Sequence, residues 1–399
     1  MKRTIAIAAA LCFFAASAMA QTPSPIVAHY RAYQSALERD DLAGAETSAT
    51  EALAAAEAGN DARIGALAFN LAALRLMQGN ASGALAPAQR ALALAHQYPG
   101  NGLSPTLANL LVARIELAQA VPDASARLYA ALEAAQTAQL PASEISDAAI
   151  ELALWSETNQ RYDLALTTWS IADNFAEGSR YPEAFARARA KLGQAIAIIQ
   201  AELSDGNRSH FDADNTADAL RQLYEACRLL QDLAAQDLPS GEITLAQQTY
   251  AQVLAWSAVL RSKVRSDGMR LPDFAVAQGD ADGMVEDIGA PASSARPRCM
   301  IQTAFLREIE FPSSAAARGE LAGASVRLRI NEAGELVDAT VVAIVGSQAF
   351  VDAINRARWS VRRRADSDPN CRMEMSIVRS IAFSIEGNSG RPGRRPMRP

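Results

Sequence analysis

The sequence predicts a mostly α protein, with a helical-repeat (α-solenoid) N-terminal region followed by a small C-terminal α+β domain. Three observations lead there. Residues 24–266 are rich in Ala and Leu at helical spacing and are broken at short intervals. A spacing of about 40 residues recurs through the first half of that region. From Val326 onward the apolar period changes from helical to the twofold alternation of half-buried strands. Half of all residues are apolar, so the chain can bury a core in each region.

The first segment is a targeting signal. Met1-Lys2-Arg3 is basic, residues 4–18 are almost wholly apolar, and Ala18-Met19-Ala20 precedes Gln21. Those are the three parts of a cleavable secretory signal peptide spanning 1–20. The alternative is an uncleaved membrane anchor, since the apolar run is only a little shorter than the ~20 residues a spanning helix needs. Cys12 does not mark a lipoprotein, because Leu11 stands where lipid attachment requires a small residue.

Residues 21–266 then read as a helical array. Breaks fall at Gly59-Asn60, Gly79-Asn80, Pro99-Gly100, Val121-Pro122, Leu140-Pro141, Asn159-Gln160 and Gly178-Ser179, each interval long enough for a helix of several turns. Ser104-Pro105 shows the local logic: a hydroxyl can cap free amides, and proline suits the first helical position. The period is carried by Ala45, Ala84, Ala124 and Ala165, and each has a second alanine two helical turns further on, at Ala52, Ala91, Ala131 and Ala172. That spacing puts the members of each pair on one face, where a missing side chain lets a neighbouring helix approach. Residues 181–203, 215–235 and 243–265 are expected as three longer helices covering the end of the array. Stacked helical hairpins of this kind usually form a platform for another protein.

Residues 267–297 mix Asp, Gly, Ala, Ser and Pro with little periodicity and read as a flexible linker. Asp280-Ala281-Asp282-Gly283 lacks the third oxygen ligand and the distal bidentate Glu of a calcium loop, so no metal is assigned to it. Residues 298–387 form the α+β domain. Val326 to Ile330 alternates apolar and basic, Gly334 supplies a tight turn, and 336–345 is a second β-rich run. Gln348 to Arg358 has helical spacing, Trp359-Ser360-Val361 alternates again, and 373–385 reads as a last strand. The tail 388–399, with Arg391, Arg394, Arg395 and Arg398 among Gly and Pro, is expected to be disordered; its charge suits peripheral attachment to an anionic membrane surface.

Charge separates the two regions. Residues 298–399 carry 16 Arg against 11 acidic residues, net +5, while 21–297 carry 20 basic and 33 acidic residues, net −13. No basic groove interleaved with aromatics accompanies the positive end, so nucleic acid is not an expected partner. The three histidines, His29, His96 and His210, are isolated. There is no His-Glu-x-x-His, Gly-x-Ser-x-Gly, Cys-x-x-Cys or phosphate-binding glycine loop. No catalytic residue, cofactor or metal site is predicted, and the chain is not expected to be an enzyme.

Two resemblances sharpen this reading. The unit Asn70-Leu71-Ala72, Gln78-Gly79-Asn80, Ala84-Leu85 and Ala91-Leu92 is similar to a tetratricopeptide repeat; Arg161 to Leu166 repeats its central part and Arg39 to Leu42 its turn. The period here is longer than that family's, so these units carry longer helices or loops. Phe311-Pro312, the small-residue turn 313–319, Val326 to Ile330, Gly334, Phe350 to Arg358, Trp359-Ser360-Val361 and the strand 373–385 together resemble the C-terminal domain of TonB, with Arg363 where that pattern has an exit proline. This second resemblance covers roughly 75 of the 399 residues.

The TonB resemblance implies binding of an extended segment, in that family one from an outer-membrane transporter, by strand addition to the last strand. Carried onto this chain, the binding residues are Ser376, Ile377, Val378, Arg379, Ser380, Ile381, Ala382 and Phe383. Cys299 and Cys371 lie just before and within this domain, in a compartment where disulfides persist, and are paired; Cys227 stands in a helical context and reads as a buried filler. Together these features lead to the expectation of a periplasmic protein-interaction adaptor. The alternative is a TonB-type energy transducer for outer-membrane transport, facing the periplasm and held in the inner membrane by an uncleaved N-terminal helix.

Overall fold

A computed structural model describes residues 24–179, 181–204, 211–234, 239–266, 268, 284–286, 297–306, 309, 311–313, 315 and 321–383. The signal-like segment 1–20, most of 267–297 and the tail 388–399 lie outside the described residues. The chain divides into two compact units, Met1–Glu183 and Ala184–Pro399.

The first unit holds α1 (Pro25–Glu38), α2 (Leu42–Ala58), α3 (Ile64–Met77), α4 (Ala81–Gln97), α5 (Pro105–Ala118), α6 (Ala124–Thr137), α7 (Ala142–Thr158) and α8 (Tyr162–Asn174), closed by a 3-10 turn at Ala176–Gly178. Consecutive helices pack on one another, and α3, α5 and α7 also touch in sequence, as in a stack of hairpins. All eight alanines of the repeating pattern are buried, and they lie on the second helix of each hairpin. The turn inside each hairpin recurs too. Asp40, Gly79, Ala120 and Gln160 follow the same period, and all adopt left-handed φ between 54° and 78°. Next to three of these turns Asp41, Asn80 and Asp123 occupy the N-cap position, and the first two accept a bond from the backbone of Gly44 and Gly83.

Polar clamps repeat with the same period. The Gln78 amide donates to the Leu42 carbonyl at 2.9 Å and the Gln119 amide to the Ala81 carbonyl at 2.8 Å, each reaching from one hairpin to the start of the second helix of the hairpin before it. Arg75 joins Glu46 at 2.8 Å across the same kind of junction.

The second unit begins with α9 (Glu183–Ser204), α10 (Ala213–Ala234) and α11 (Ser240–Ser266). Its strands are β1 (Met284–Glu286), β2 (Ile301–Phe305), β3 (Ala322–Ile330), β4 (Leu336–Val345), β5 (Trp359–Arg363) and β6 (Met375–Phe383), with α12 (Gln348–Asn355) before β5. The main sheet runs β1-β6-β3-β4, antiparallel throughout, and β2 pairs with β5 in a separate ribbon. Gly334, at φ 81°, turns β3 into β4, and the Asn331 side chain accepts from the Glu335 amide to close the hairpin.

Strand alternation sends Ala322, Ala324, Val326, Leu328 and Ile330 into one core with Phe350, Ile354, Ile377 and Phe383. Phe311, Phe350 and Phe383 meet there with ring centroids 5.0–6.3 Å apart. The Cys299–Cys371 disulfide borders this core and closes a 72-residue separation, which chain-entropy reasoning values at about 4 kcal/mol. Cys227 is free and buried, its thiol pushed up to about 11 by burial against an opposing bond with Tyr250.

The opposite face of the sheet is covered by α11. Ala255 and Val259 pack with Val345, and the buried Ser325 hydroxyl donates to the Ala251 carbonyl at 2.8 Å. Gly323 is what permits this approach: a Cβ there would lie 2.5 Å from Val259 Cγ2 and 2.9 Å from the Ala255 carbonyl oxygen. The last of the three long helices thus serves as a layer of the C-terminal sheet, and the unit boundary falls at Glu183, ahead of them.

Candidate functional site

All eight residues predicted to bind a partner strand lie in β6. One edge of β6 is paired with β3 along its whole length, from Met375 opposite Ile330 to Phe383 opposite Ala322. The other edge carries β1, with Glu286 opposite Ile377, Val285 opposite Val378 and Met284 opposite Arg379. So β6 is an internal strand at those three residues. Its outer edge is occupied by a short segment of the same chain, which arrives from the stretch read as linker. Ser380, Ile381, Ala382 and Phe383 have no strand partner on that side among the described residues.

Five of the β6 side chains are committed to the fold. Ile377 and Phe383 enter the core beneath the sheet, Ile381 packs against it, and Val378 is 1% exposed on the other face. Arg379 is anchored too. Its guanidinium donates to the Thr303 carbonyl at 2.6 Å and to the Thr303 hydroxyl, and it sits 5.4 Å from the Phe305 ring centre and 5.6 Å from that of Trp359. An arriving strand would therefore read the main chain of β6, not these side chains. The main chain is the part of a sheet edge that supplies affinity in strand addition.

The far edge of the sheet is β4, paired only with β3 among the described strands. It carries Asp338, whose carboxylate accepts from Thr340, and Val337, 59% exposed. A charge at an exposed edge is a common guard against unwanted pairing.

Among the described residues no group of three His, Cys, Asp or Glu side chains could hold a metal, and Asp280 to Gly283 lie outside them. No helix among the described residues is long and apolar enough to cross a membrane. Among the described residues, Arg114 on α5 is a largely buried charge that donates to both Glu151 oxygens at 2.9 and 2.7 Å and lies 3.4 Å from Glu144. Burial raises the Glu144 carboxyl above its ordinary range even though Arg114 pulls it down. That network ties α5 to α7, so its role is in the register of the hairpins.

Sequence reasoning missed two elements of the site, β1 and β2. Ile301, Thr303 and Phe305 alternate inward as a strand should, but Met300 and Leu306 stand among the outward positions and blur the pattern. No family model matches the chain, and no curated protein matches it.

Proposed function

We propose that this chain is a periplasmic protein-interaction adaptor in which the hairpin array binds one protein and the C-terminal sheet takes up an extended segment of another. One observation carries the reading. The outer edge of β6 already accepts an extended segment, β1, through an antiparallel ladder only three residues long. So short a strand contributes few main-chain bonds, and a longer partner segment continuing past Arg379 along Ser380 to Phe383 would form more of them. The partner would extend or replace β1.

The resemblance of residues 311–386 to the TonB C-terminal domain supports the same edge, and the signal-like start supports export. A segment of an outer-membrane transporter is the partner that resemblance implies.

The test is a photo-crosslinking residue placed at Ser380 in the full chain, in the intact cell envelope. Crosslinks to a second protein are expected, with a several-fold higher yield after Val285→Pro weakens β1. Crosslinks confined to this chain in both forms would sink the reading. N-terminal sequencing of the exported protein separates the adaptor from an anchored transducer, since a chain starting at Gln21 has lost residues 1–20.

A further inference from the structure

The β2–β5 ribbon has one face in the core and one in solvent. Along β2, Ile301 and Thr303 are buried, while Met300, Gln302, Ala304 and Leu306 all face out. The register places Arg362 opposite Gln302, and backbone bonds at the two ends of the ribbon place Arg364 beside Met300 and Arg358 beside Leu306. Arg364 is paired with Asp366. Arg358 and Arg362 are exposed and have no carboxylate partner among the described residues, and the same holds for the adjoining Arg356 and Arg363. The nearest acidic side chain in sequence, Asp352, makes no ion pair with Arg356. Met300 and Leu306 are 46% and 60% exposed at the two ends of this face.

We propose that the outward face of the β2–β5 ribbon is a docking surface for an anionic phospholipid membrane. All 16 basic residues from 298 to the end of the chain are Arg and none is Lys, and the planar guanidinium fork suits a phosphate oxygen pair better than an ammonium does. Positive charge without internal neutralisation is complementary to anionic headgroups. The two exposed apolar side chains, about 20 Å apart along the strand, are placed to enter the headgroup boundary on either side of the arginines. An acidic peptide would use the arginines but leave Met300 and Leu306 without a role. The surface is separate from the β6 edge and does not depend on strand addition.

The test is co-sedimentation of the full chain with vesicles of phosphatidylcholine alone and of phosphatidylcholine with about one third phosphatidylglycerol, across a salt series. Binding to the anionic vesicles only, weakening as salt rises, is the expected result. Arg358→Gln with Arg362→Gln should lower that affinity on the order of tenfold with the thermal midpoint unchanged, because both side chains are solvent-exposed. Leu306→Ser should lower it several-fold, and Val285→Pro should leave it alone. A chain ending at 387 should keep the part of binding that depends on Arg358 and Arg362. Equal binding to neutral vesicles would overturn the proposal. So would binding that vanishes with the tail yet ignores the arginine substitutions, or binding of polyglutamate with none to vesicles.

Discussion

The Arg114 cluster gives a sharp test of how single charges are tolerated inside the hairpin stack. Arg114 is deeply placed, Glu151 meets it with both oxygens, and Glu144 meets it at longer range while burial holds its carboxyl high. A carboxyl raised in the folded state favours its protonated form there. Its contribution to stability is full below the ordinary carboxylate pKa and is lost as pH rises through the folded value. Glu144→Gln should therefore flatten this pH dependence in urea titrations and cost little at neutral pH. Glu151→Gln should cost about 2 kcal/mol, less than the orphaning of a fully buried charge, because Glu144 still faces Arg114. A larger loss from Glu144→Gln than from Glu151→Gln would contradict this. The left-handed turn residues offer a second test. Ala120 and Gln160 occupy, at φ 54° and 57°, the position that Gly79 fills in another hairpin. Ala120→Gly or Gln160→Gly should raise stability by up to about 1 kcal/mol, since relief of the left-handed strain exceeds the extra freedom of the unfolded chain. Thermal midpoints that fall instead would show that those backbones are unstrained.

At the scale of elements, the contact between α11 and the sheet is decided by one missing side chain. Gly323→Val should cost about 1–3 kcal/mol, because the new side chain meets Val259 and the Ala255 carbonyl at once. Val259→Ala should rescue only part of the loss, since the carbonyl stays in place; full rescue in a double-mutant cycle would refute the geometry. This contact also marks where sequence stops being legible. Helix ends were readable because Gly, Asn and Pro have local conformational reasons to be there, and α2, α4 and β4 stand where punctuation and period put them. The choice of neighbour was not. Ala251, Ala255 and Val259 form a face of small apolar residues that would suit a helix or a sheet equally, so α11 looked like the end of the array. The location of the candidate strand was readable from its alternation, yet its occupied edge was not. Three residues among Asp and Gly, in β1, carry too little pattern to announce a strand.

For the whole molecule, the consequence is that residues 184–383 form one folding unit while an acidic array precedes them. A chain beginning at 184 should unfold in a single cooperative transition monitored by circular dichroism, whereas one beginning at 298 lacks both α11 and β1 and should melt well below it. Equal midpoints would mean that α11 and β1 add nothing to the sheet. The covering of the sheet by α11 on one face and by α12 on the other has a further effect on the order of folding. Exposed from its N-terminus, the chain presents α11, which ends at Ser266, ahead of its sheet, and β6, which joins β1 to β3 in the main sheet, does not begin until Met375. A chain exposed only as far as residue 374 therefore has a complete first unit and a second one whose core lacks Ile377 and Phe383. Until the last strand arrives, β1 and β3 have no strand between them to join.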